Sequence, residues 1–302
     1  MQVNNAAPLF TVKDLLWFAY LYPFRMLAGR MPRGILHGLG KMADPLVQFR
    51  SGSQRASAVR AMLTAGISPE RAALAGRQFI SNATVRILDD LLMISGKGAP
   101  QAHVEGLDQL ERARSQQRGV LLLSVHTYAT RLAKRYMGEA GYPILTVRNQ
   151  RPPDLLAGRL GRRYLQPRYM EFLHQVIQDE VYIQDPECSL KILKRLRSGG
   201  LVNIHLDAPR TAASLLEWPF LGALRTFPSG PFDIVRVSKC AVLPMFCGGC
   251  STGLRIRFGA PPALPDSTSR EEFARAHLSY FAKLFEEQIM SHPEEWELWT
   301  RL

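Results

Sequence analysis

The stretch Gly119-Val-Leu-Leu-Leu-Ser-Val-His126 decides the fold class of this chain. An apolar run of this length, rich in valine and leucine and entered through a glycine, is typical of a fully buried strand. The helical pattern of residues 128–140 follows it, and a strand leading into a helix is the repeating unit of a parallel α/β sheet. Ligands of such sheets bind at the carboxyl ends of the strands. His126 therefore stands where an imidazole can serve as a general base.

The rest of the chain extends this pattern in both directions. Residues 8–95 are almost entirely helical in pattern, with an N-cap and a first-turn proline at Ser68-Pro-Glu-Arg71. Strand and helix patterns alternate after the break at residues 96–100. We predict an α/β fold with a mainly parallel central sheet flanked by helices and an N-terminal helical, membrane-associating segment. Its two parts are a helical region, 1–95, and an α/β domain, 96–302.

The α/β domain is predicted element by element. Its further strands are 102–105, 143–147, 201–206, 241–246 and 254–258, and its helices are 107–114, 152–165, 186–197, 232–238 and 270–290. A loop is expected over residues 208–225. The strand that ends at Leu206 delivers Asp207 in the way that the first strand delivers His126. Both side chains are therefore expected at one edge of the sheet.

The positive charge of the chain is large and unevenly distributed. The formal net charge is +12, and residues 131–168 contain nine basic residues against two acidic ones. Such a block predicts an anionic partner, which could be a phospholipid surface, a phosphorylated substrate, an acidic carrier protein or nucleic acid, or else a merely solvated face. No recognised nucleic-acid-binding module or aromatic platform accompanies the block, so nucleic acid is not expected as a partner.

The four cysteines are too few for a disulfide framework in a chain of 302 residues. Cys247-Gly-Gly-Cys250 lies between two strand patterns and has no further ligands nearby at zinc-site spacing. We interpret its glycines as a hairpin turn and predict no metal site.

The N-terminus contains a strongly apolar, aromatic stretch over residues 15–24, flanked by Lys13 and Arg25. It is too short for a free-standing transmembrane helix, which needs about 20 apolar residues. Trp17, Tyr20 and Tyr22 between basic residues suit a helix that lies in the headgroup region, and a second amphipathic run follows over 35–49. We expect residues 8–49 to associate with an anionic membrane surface, although an ordinary core helix has a similar pattern.

Short segments with a characteristic order follow one another along the α/β domain. Besides the stretch 119–126 they are Val104-Glu-Gly106, Leu193-Lys-Arg-Leu-Arg-Ser-Gly199, Asn203-Ile-His-Leu-Asp207, Trp218-Pro-Phe-Leu-Gly222, Phe227-Pro-Ser-Gly-Pro231, Ala241-Val-Leu-Pro-Met-Phe246 and His292-Pro-Glu-Glu-Trp-Glu-Leu-Trp299. In this order the segments resemble the bacterial lipid A late acyltransferases, within the lysophospholipid acyltransferase superfamily.

This resemblance implies transfer of a fatty acyl group from an acyl carrier protein or coenzyme A thioester to a hydroxyl or amine of a lipid or glycolipid-like acceptor. It implies no cofactor beyond the thioester co-substrate, and a location on the cytoplasmic face of the inner membrane. The family's motif is a histidine, four residues, and then a carboxylate that orients the imidazole and stabilises its charged form. His126 would be the general base.

The motif departs from the family's pattern at its last position. It is His126-Thr-Tyr-Ala-Thr-Arg131 in this chain, and a guanidinium cannot accept the imidazole proton. Its positive charge is expected to lower the pKa of His126. Three hypotheses follow. Asp207 or Glu105 supplies the carboxylate from a neighbouring strand, or the acceptor is a good nucleophile such as an amine, or the chain is a catalytically impaired homologue that binds lipid or acyl carrier protein.

Three arginines are candidates for substrate binding, because guanidinium groups form bidentate contacts with phosphate. Arg131 occupies the carboxylate position of the motif, Arg148 ends the strand after His126, and Arg210 lies just beyond Asp207. Surface ion pairs are the alternative for Arg148 and Arg210, and a cap on the turn before a proline is the alternative for Asp207.

Four other side chains are expected to be structural. Trp296 and Trp299 match the C-terminal segment of the resemblance and are expected to pack against the closing helix. His205 and His292 are interpreted as structural histidines.

Overall fold

The computed structural model describes residues 8–116, 118–149, 158–176, 179–207, 214–250, 253–263 and 269–301. The described part of the N-terminal region is mostly helical, as predicted, and Thr11 begins the first helix with a capping box to Asp14. None of the described helices combines the length and the apolarity that crossing a membrane requires. The helices are α1 Val12–Ala19, α2 Arg25–Arg30, α3 Arg33–Arg50, α4 Gly52–Thr64 and α5 Pro69–Ile94, with a π-helical segment at Tyr20–Phe24.

The α/β domain is built on a seven-stranded sheet with the order β1-β9-β8-β2-β5-β3-β4. Its pairings are parallel except for the antiparallel pair β8–β9, which confirms the predicted fold class. The strands are β1 Ala102–Glu105, β2 Val120–Ser124, β3 Ile144–Arg148, β4 Glu180–Tyr182, β5 Leu201–His205, β8 Ala241–Cys250 and β9 Gly253–Phe258. The helices are α6 Leu107–Ser115, α7 Thr130–Glu139, α8 Gln166–Val176, α9 Cys188–Arg197, α10 Gly230–Ser238 and α11 Arg270–Ser291.

The central strand β2 is buried on both faces. Its alternate residues enter two hydrophobic cores, with Leu121 and Leu123 on one side of the sheet and Val120 and Leu122 on the other. A strand covered by helices on both faces needs a continuous apolar run, which explains the sequence of this stretch.

The register of β2 and β5 brings their carboxyl ends together. The two strands are parallel neighbours, and Ser124 pairs with His205. His126 and Asp207 each follow two residues after this pair, so they emerge side by side at one edge of the sheet. The prediction that both strand ends share an edge is confirmed.

The prediction of a loop over 208–225 is wrong for most of its described part. Leu215–Phe220 (β6) and Ala223–Pro228 (β7) form an antiparallel hairpin. Leu221 and Gly222 make its turn with φ of +51° and +73°, the left-handed conformations of a type I′ turn. A leucine in that conformation is uncommon, so the turn carries a weak sequence signal. A Cβ on Gly222 would lie 2.5 Å from the Thr64 carbonyl oxygen of α4.

Two further predictions need correction. The first residues of the helix predicted over 152–165 lie outside the described residues. Its described part does not end at residue 165 but continues through α8 to Val176. The glycines of the Cys247–Cys250 segment form no turn, because both belong to β8 and the pairing extends to Cys250 with Gly253. Glycine is needed there for space. A Cβ on Gly248 would lie 2.3 Å from the Glu295 carboxylate, and one on Gly249 would lie 1.9 Å from the Tyr128 hydroxyl.

Candidate active site

His126 and Asp207 form a hydrogen-bonded dyad at the carboxyl edge of the sheet. The imidazole Nδ1 lies 2.6 Å from Asp207 Oδ1, and the backbone N–H of His126 donates to Oδ2 at 2.9 Å. The side chain of Asp207 is 3 % exposed and that of His126 is 32 % exposed. The carboxylate is therefore enclosed, while the imidazole faces a cavity with Nε2 as the nitrogen that the dyad leaves available.

Trp296 completes the hydrogen bonding of Asp207. Its indole Nε1–H donates to Oδ2 at 2.8 Å, and the ring is fully buried. The C-terminal segment holds it there by pairing with the residues after β2. The N–H of Glu297 donates to the His126 carbonyl at 3.0 Å, and the N–H of Tyr128 donates to the Glu295 carbonyl at 3.3 Å. Trp296 is thus more than the packing residue that we expected from the sequence.

The C-terminal segment is fixed in turn by Glu295. Its carboxylate accepts from the Gly249 N–H at 3.0 Å and lies 3.2 Å from the Arg255 guanidinium. Burial raises the pKa of Glu295 to about 7. The Glu295 carboxylate occupies the space where a Cβ on Gly248 would lie, so this glycine of β8 helps to place Trp296 on Asp207.

A second histidine lies against the dyad. The ring of His205 stacks on that of His126 with centroids 4.1 Å apart, and its Nδ1 lies 3.0 Å from Ser124 Oγ. The amide of Asn203 donates to the same hydroxyl at 2.8 Å, and Lys134 Nζ lies 3.5 Å from Asn203 Oδ1. His205 therefore belongs to the site, which differs from the structural role that we expected from the sequence.

The charge of Asp207 controls the protonation of His126. Burial opposes the charged imidazole, but the negative charge of Asp207 and its hydrogen bond outweigh burial and raise the pKa of His126. Burial likewise opposes ionisation of Asp207, yet its pKa is lowered because His126 and the Trp296 indole favour the carboxylate. The expectation that Arg131 lowers the pKa of His126 is wrong, because Asp207 dominates the surroundings of the imidazole.

The neighbouring bases are shifted in the opposite direction. Burial lowers the pKa of His205 well below its ordinary value, and the adjacent positive charges of His126 and Lys134 add to this. Burial also lowers the pKa of Lys134 to about 7. Of the two stacked imidazoles, His126 is the one that its surroundings make basic.

The partner of Arg131 is a carboxylate and not the His126 imidazole. Its guanidinium lies 2.6 Å from the carboxylate of Asp90, a buried residue of α5, and this charge raises the pKa of Arg131. Arg131 still lines the cavity. Its charge is already compensated within the protein, so the structure does not bear out a free anion-binding group at this position.

The remaining predicted site residues lie in different places. Arg148 lines the cavity and lies 2.6 Å from the Glu180 carboxylate, so it too has an internal partner. Glu105 ends β1, which is separated from β2 by β9 and β8, and it pairs with His103 at 3.3 Å. Strands lie about 4.8 Å apart, so Glu105 cannot reach His126, and its prediction as a substitute carboxylate is wrong. Arg210 lies outside the described residues.

The site also contains a set of groups that could ligate a metal ion. Ligand atoms of His126, His205 and Asp207 lie within 4.8 Å of one another. Both oxygens of Asp207 and the Nδ1 of His126 are already engaged in the hydrogen bonds described above. The hydrogen bonds of the dyad are formed without an ion.

The dyad opens into a cavity of about 1130 Å³. Apolar side chains line part of its wall, among them Leu193, Phe220, Phe227 and Ile234, and several arginines line the rest. Such a wall can accommodate an acyl chain together with an anionic group.

Residues 70–302 match the sequence model of the family described as bacterial lipid A biosynthesis acyltransferase. The chain belongs to this family. The matched region contains the dyad and the C-terminal segment, and the resemblance found in the ordered segments is confirmed. The protein is therefore an acyltransferase of lipid biosynthesis by family.

Among solved structures, this family member is similar to the crystal structure of the 1-acyl-sn-glycerophosphate (LPA) acyltransferase PlsC from Thermotoga maritima. The two chains are 12 % identical with a TM-score of 0.36, and the match covers 92 % of this chain and 97 % of that chain. No curated protein matches the chain.

Proposed function

We propose that the protein transfers a fatty acyl group from an acyl carrier protein or coenzyme A thioester to a hydroxyl or amine of a lipid or glycolipid-like acceptor, with His126 as the general base. The observation that supports this most strongly is the dyad at the mouth of the cavity, with Asp207 Oδ1 at 2.6 Å from His126 Nδ1. Asp207 provides the carboxylate that the motif lacks at position 131.

The dyad prepares His126 for proton abstraction. Asp207 accepts the Nδ1 proton, which fixes the tautomer with an unprotonated Nε2. The acceptor's hydroxyl or amine would give its proton to Nε2 while its oxygen or nitrogen attacks the thioester carbonyl carbon. The negative charge of Asp207 then stabilises the imidazolium that forms.

The second half of the reaction returns the proton. The tetrahedral intermediate collapses, the carbon–sulfur bond breaks, and the leaving sulfur takes the proton from the imidazolium. The products are the acylated acceptor and a free thiol, and His126 is neutral again. No oxidation or reduction occurs, so the thioester is the only co-substrate that this scheme requires.

The test is in vitro acyl transfer by the purified full chain, with acyl carrier protein and coenzyme A thioesters offered separately. We expect H126A to lose about 10³-fold or more in kcat, because the base is removed. H103A is the matched control, since His103 is 67 % exposed on the edge strand and far from the dyad. Wild-type turnover that survives H126A unchanged would contradict the mechanism.

The alternative from the sequence is a catalytically impaired homologue that binds lipid or acyl carrier protein. Arg131 motivated it, and the contact between Asp207 and His126 provides a different explanation for the missing carboxylate. Binding of acyl carrier protein without turnover of either thioester would favour this alternative in the same assay.

We also propose that the N-terminal helices dock on an anionic membrane, at the cytoplasmic face of the inner membrane. An apolar stripe along α3 supports this. Its spacing places five side chains on one helical face, and they are 48 to 85 % exposed. Residues 8–50 contain six basic residues against two acidic ones. The stripe consists of Ile35, Leu39, Met42, Leu46 and Phe49.

Vesicle sedimentation tests this docking surface with phosphatidylglycerol-containing and pure phosphatidylcholine vesicles. We expect the full chain to prefer the anionic vesicles, and the double variant L46E/F49E to bind about tenfold more weakly or worse, because apolar burial is lost. L190E is the matched control, since Leu190 is 66 % exposed on α9, outside the N-terminal region. Equal binding by all three proteins would contradict the proposal.

A further inference from the structure

The arginines on the cavity wall differ in their partners. Four of them lie beside a carboxylate of the protein, which compensates their charge. A fifth, Arg301, is exposed at the end of the described chain. The paired ones are Arg86 with Glu297, Arg131 with Asp90, Arg148 with Glu180, and Arg270 with Asp233.

Arg225 is partly buried and forms no ion pair with a carboxylate of the described residues. It lies on β7 opposite Trp218 of β6 and lines the cavity. Its Nε is buried and has no hydrogen-bond partner among the described residues. A guanidinium stays charged in proteins, so the wall carries here a partly buried positive charge with an unused donor.

Such a charge is costly for the fold alone. Burial lowers the pKa of Arg225, and no carboxylate of the described residues opposes the effect. An uncompensated buried charge destabilises a protein, and a buried N–H without an acceptor adds to that cost. An anion that enters the cavity from solution would relieve both.

The hairpin that carries Arg225 is held firmly. The N–H of Leu221 in its turn donates to a carboxylate oxygen of Glu286 on α11 at 2.6 Å, and Gly222 lies against the Thr64 carbonyl of α4. Phe220 and Phe227 of the two strands pack edge to face with centroids 5.2 Å apart. Arg225 is therefore presented from a rigid support, which lowers the entropic cost of binding a ligand.

We propose that Arg225 anchors an anion-binding subsite of the cavity that takes a phosphate group of a substrate. Arginine suits this ligand because its planar fork can donate two parallel hydrogen bonds to phosphate oxygens. The subsite is distinct from the predicted positions at Arg131 and Arg148, whose charges are compensated within the protein. Assigning the phosphate to a substrate rests on the proposed function.

The same chemistry occurs in two sources. The phosphate could belong to the donor, as the phosphates of coenzyme A or of a phosphopantetheine arm, or to the acceptor, as a lipid phosphate. The two sources are separated by measuring KM for donor and acceptor independently in R225M, which keeps the apolar stem and removes the charge. A rise of about tenfold in only one KM identifies the source.

The subsite itself is tested by binding, without turnover. Titration calorimetry with inorganic pyrophosphate is carried out on the full chain, on R225M and on R270M. Both variants remove one arginine from the cavity wall, but Arg270 already has two hydrogen bonds to Asp233 at 2.7 and 2.6 Å. We expect R225M to weaken binding about tenfold or more and R270M to have a much smaller effect.

Two further measurements keep the outcome decisive. R225K retains the charge but not the fork, so we expect it to bind pyrophosphate with an affinity between those of wild type and R225M, even if R225M folds poorly. Because pyrophosphate binding is measured without turnover, a failure of the subsite is separated from a failure of the proposed reaction. Equal losses in R225M and R270M, or no loss in either, would overturn the subsite.

Discussion

Two buried aspartates of the protein are engaged in different ways. Asp207 lies 2.6 Å from His126, and Asp90 lies 2.6 Å from Arg131. Asp207 accepts three N–H groups, and one of them belongs to an imidazole, a side chain that can gain and lose a proton. Asp90 pairs with a cation that does not titrate there. The first pair can move a proton, whereas the second can only fix structure.

The spacing of a sequence motif indicates only indirectly where its side chains lie in the folded protein. The family's pattern places the carboxylate five positions after the histidine, on the helix that follows β2. In this chain the cation at that position turns to Asp90 on α5, and the carboxylate reaches the imidazole from the end of the neighbouring strand. A cation in the motif therefore does not by itself indicate a lost base.

The largest effect is expected from breaking the first pair. D207N should lower kcat by about 10³- to 10⁴-fold, because an amide neither fixes the productive tautomer nor stabilises the imidazolium. The acid limb of its kcat–pH profile should shift to lower pH. Asp207 raises the pKa of His126, so the pKa falls in D207N, and the imidazole acts as a base only when it is neutral. The measurement is kcat against pH.

D185N is the matched control for this experiment, because Asp185 pairs with Lys191 at 2.6 Å on the surface. It should leave both rate and pH profile within about twofold, since exposed ion pairs contribute little. A D207N enzyme with wild-type turnover would show that Asp207 is not the partner that catalysis uses.

Breaking the pair of Asp90 and Arg131 should lower the stability of the protein more than its catalytic rate. D90N leaves the partly buried Arg131 without its partner, and R131M leaves the buried Asp90 without its partner. For each variant we expect about 2 kcal/mol of lost unfolding free energy, measured by urea denaturation. The double variant D90N/R131M should recover part of that loss, because no charge remains unpaired. The acid limb of the kcat–pH profile of the folded variants should lie at the same pH as in the wild type. A shift as large as that of D207N would contradict the division of roles.

A smaller effect is expected from Trp296, which supports the first pair. W296F removes one hydrogen bond to Asp207 and should lower kcat about fivefold, in line with roughly 1 kcal/mol per bond. W299F is the control, since Trp299 is equally buried but donates to the Pro293 carbonyl at 2.6 Å. Both variants should lose stability, and only W296F should lose rate beyond the loss of folded protein.

The smallest effect is expected from Glu105, the carboxylate that the sequence also nominated. E105Q should change kcat less than about twofold, because its side chain is on an exposed edge strand beside His103. The assay is the same thioester-dependent transfer. A loss comparable to that of D207N would mean that the sheet edge is arranged differently in solution.

The sequence predicted those features that follow from periodicity. The apolar run of β2 and its helix, the N-terminal helices and the shared edge of β2 and β5 follow from local patterns and the geometry of parallel sheets. Asp207 was nominated for the same reason, as a polar residue at a strand end.

The features that it missed depend on contacts between distant segments. Trp296 reaches Asp207 only because the C-terminal segment pairs back onto residues 126–128, 89 residues separating the indole from the carboxylate. The β6–β7 hairpin turns at Leu221 in a conformation that leucine seldom adopts, so its turn signal was weak. The partner of Arg131 lies on a helix 41 residues earlier, with nothing in the local pattern to point to it.

The central claim is that Asp207 supplies the carboxylate for His126, and nitrogen NMR of labelled histidine tests it most directly. In the wild type we expect the neutral His126 ring to carry its proton on Nδ1 and to titrate above the ordinary histidine pKa. In D207N the pKa should fall and the two tautomers should mix. An unchanged pKa and tautomer of His126 in D207N would contradict the account.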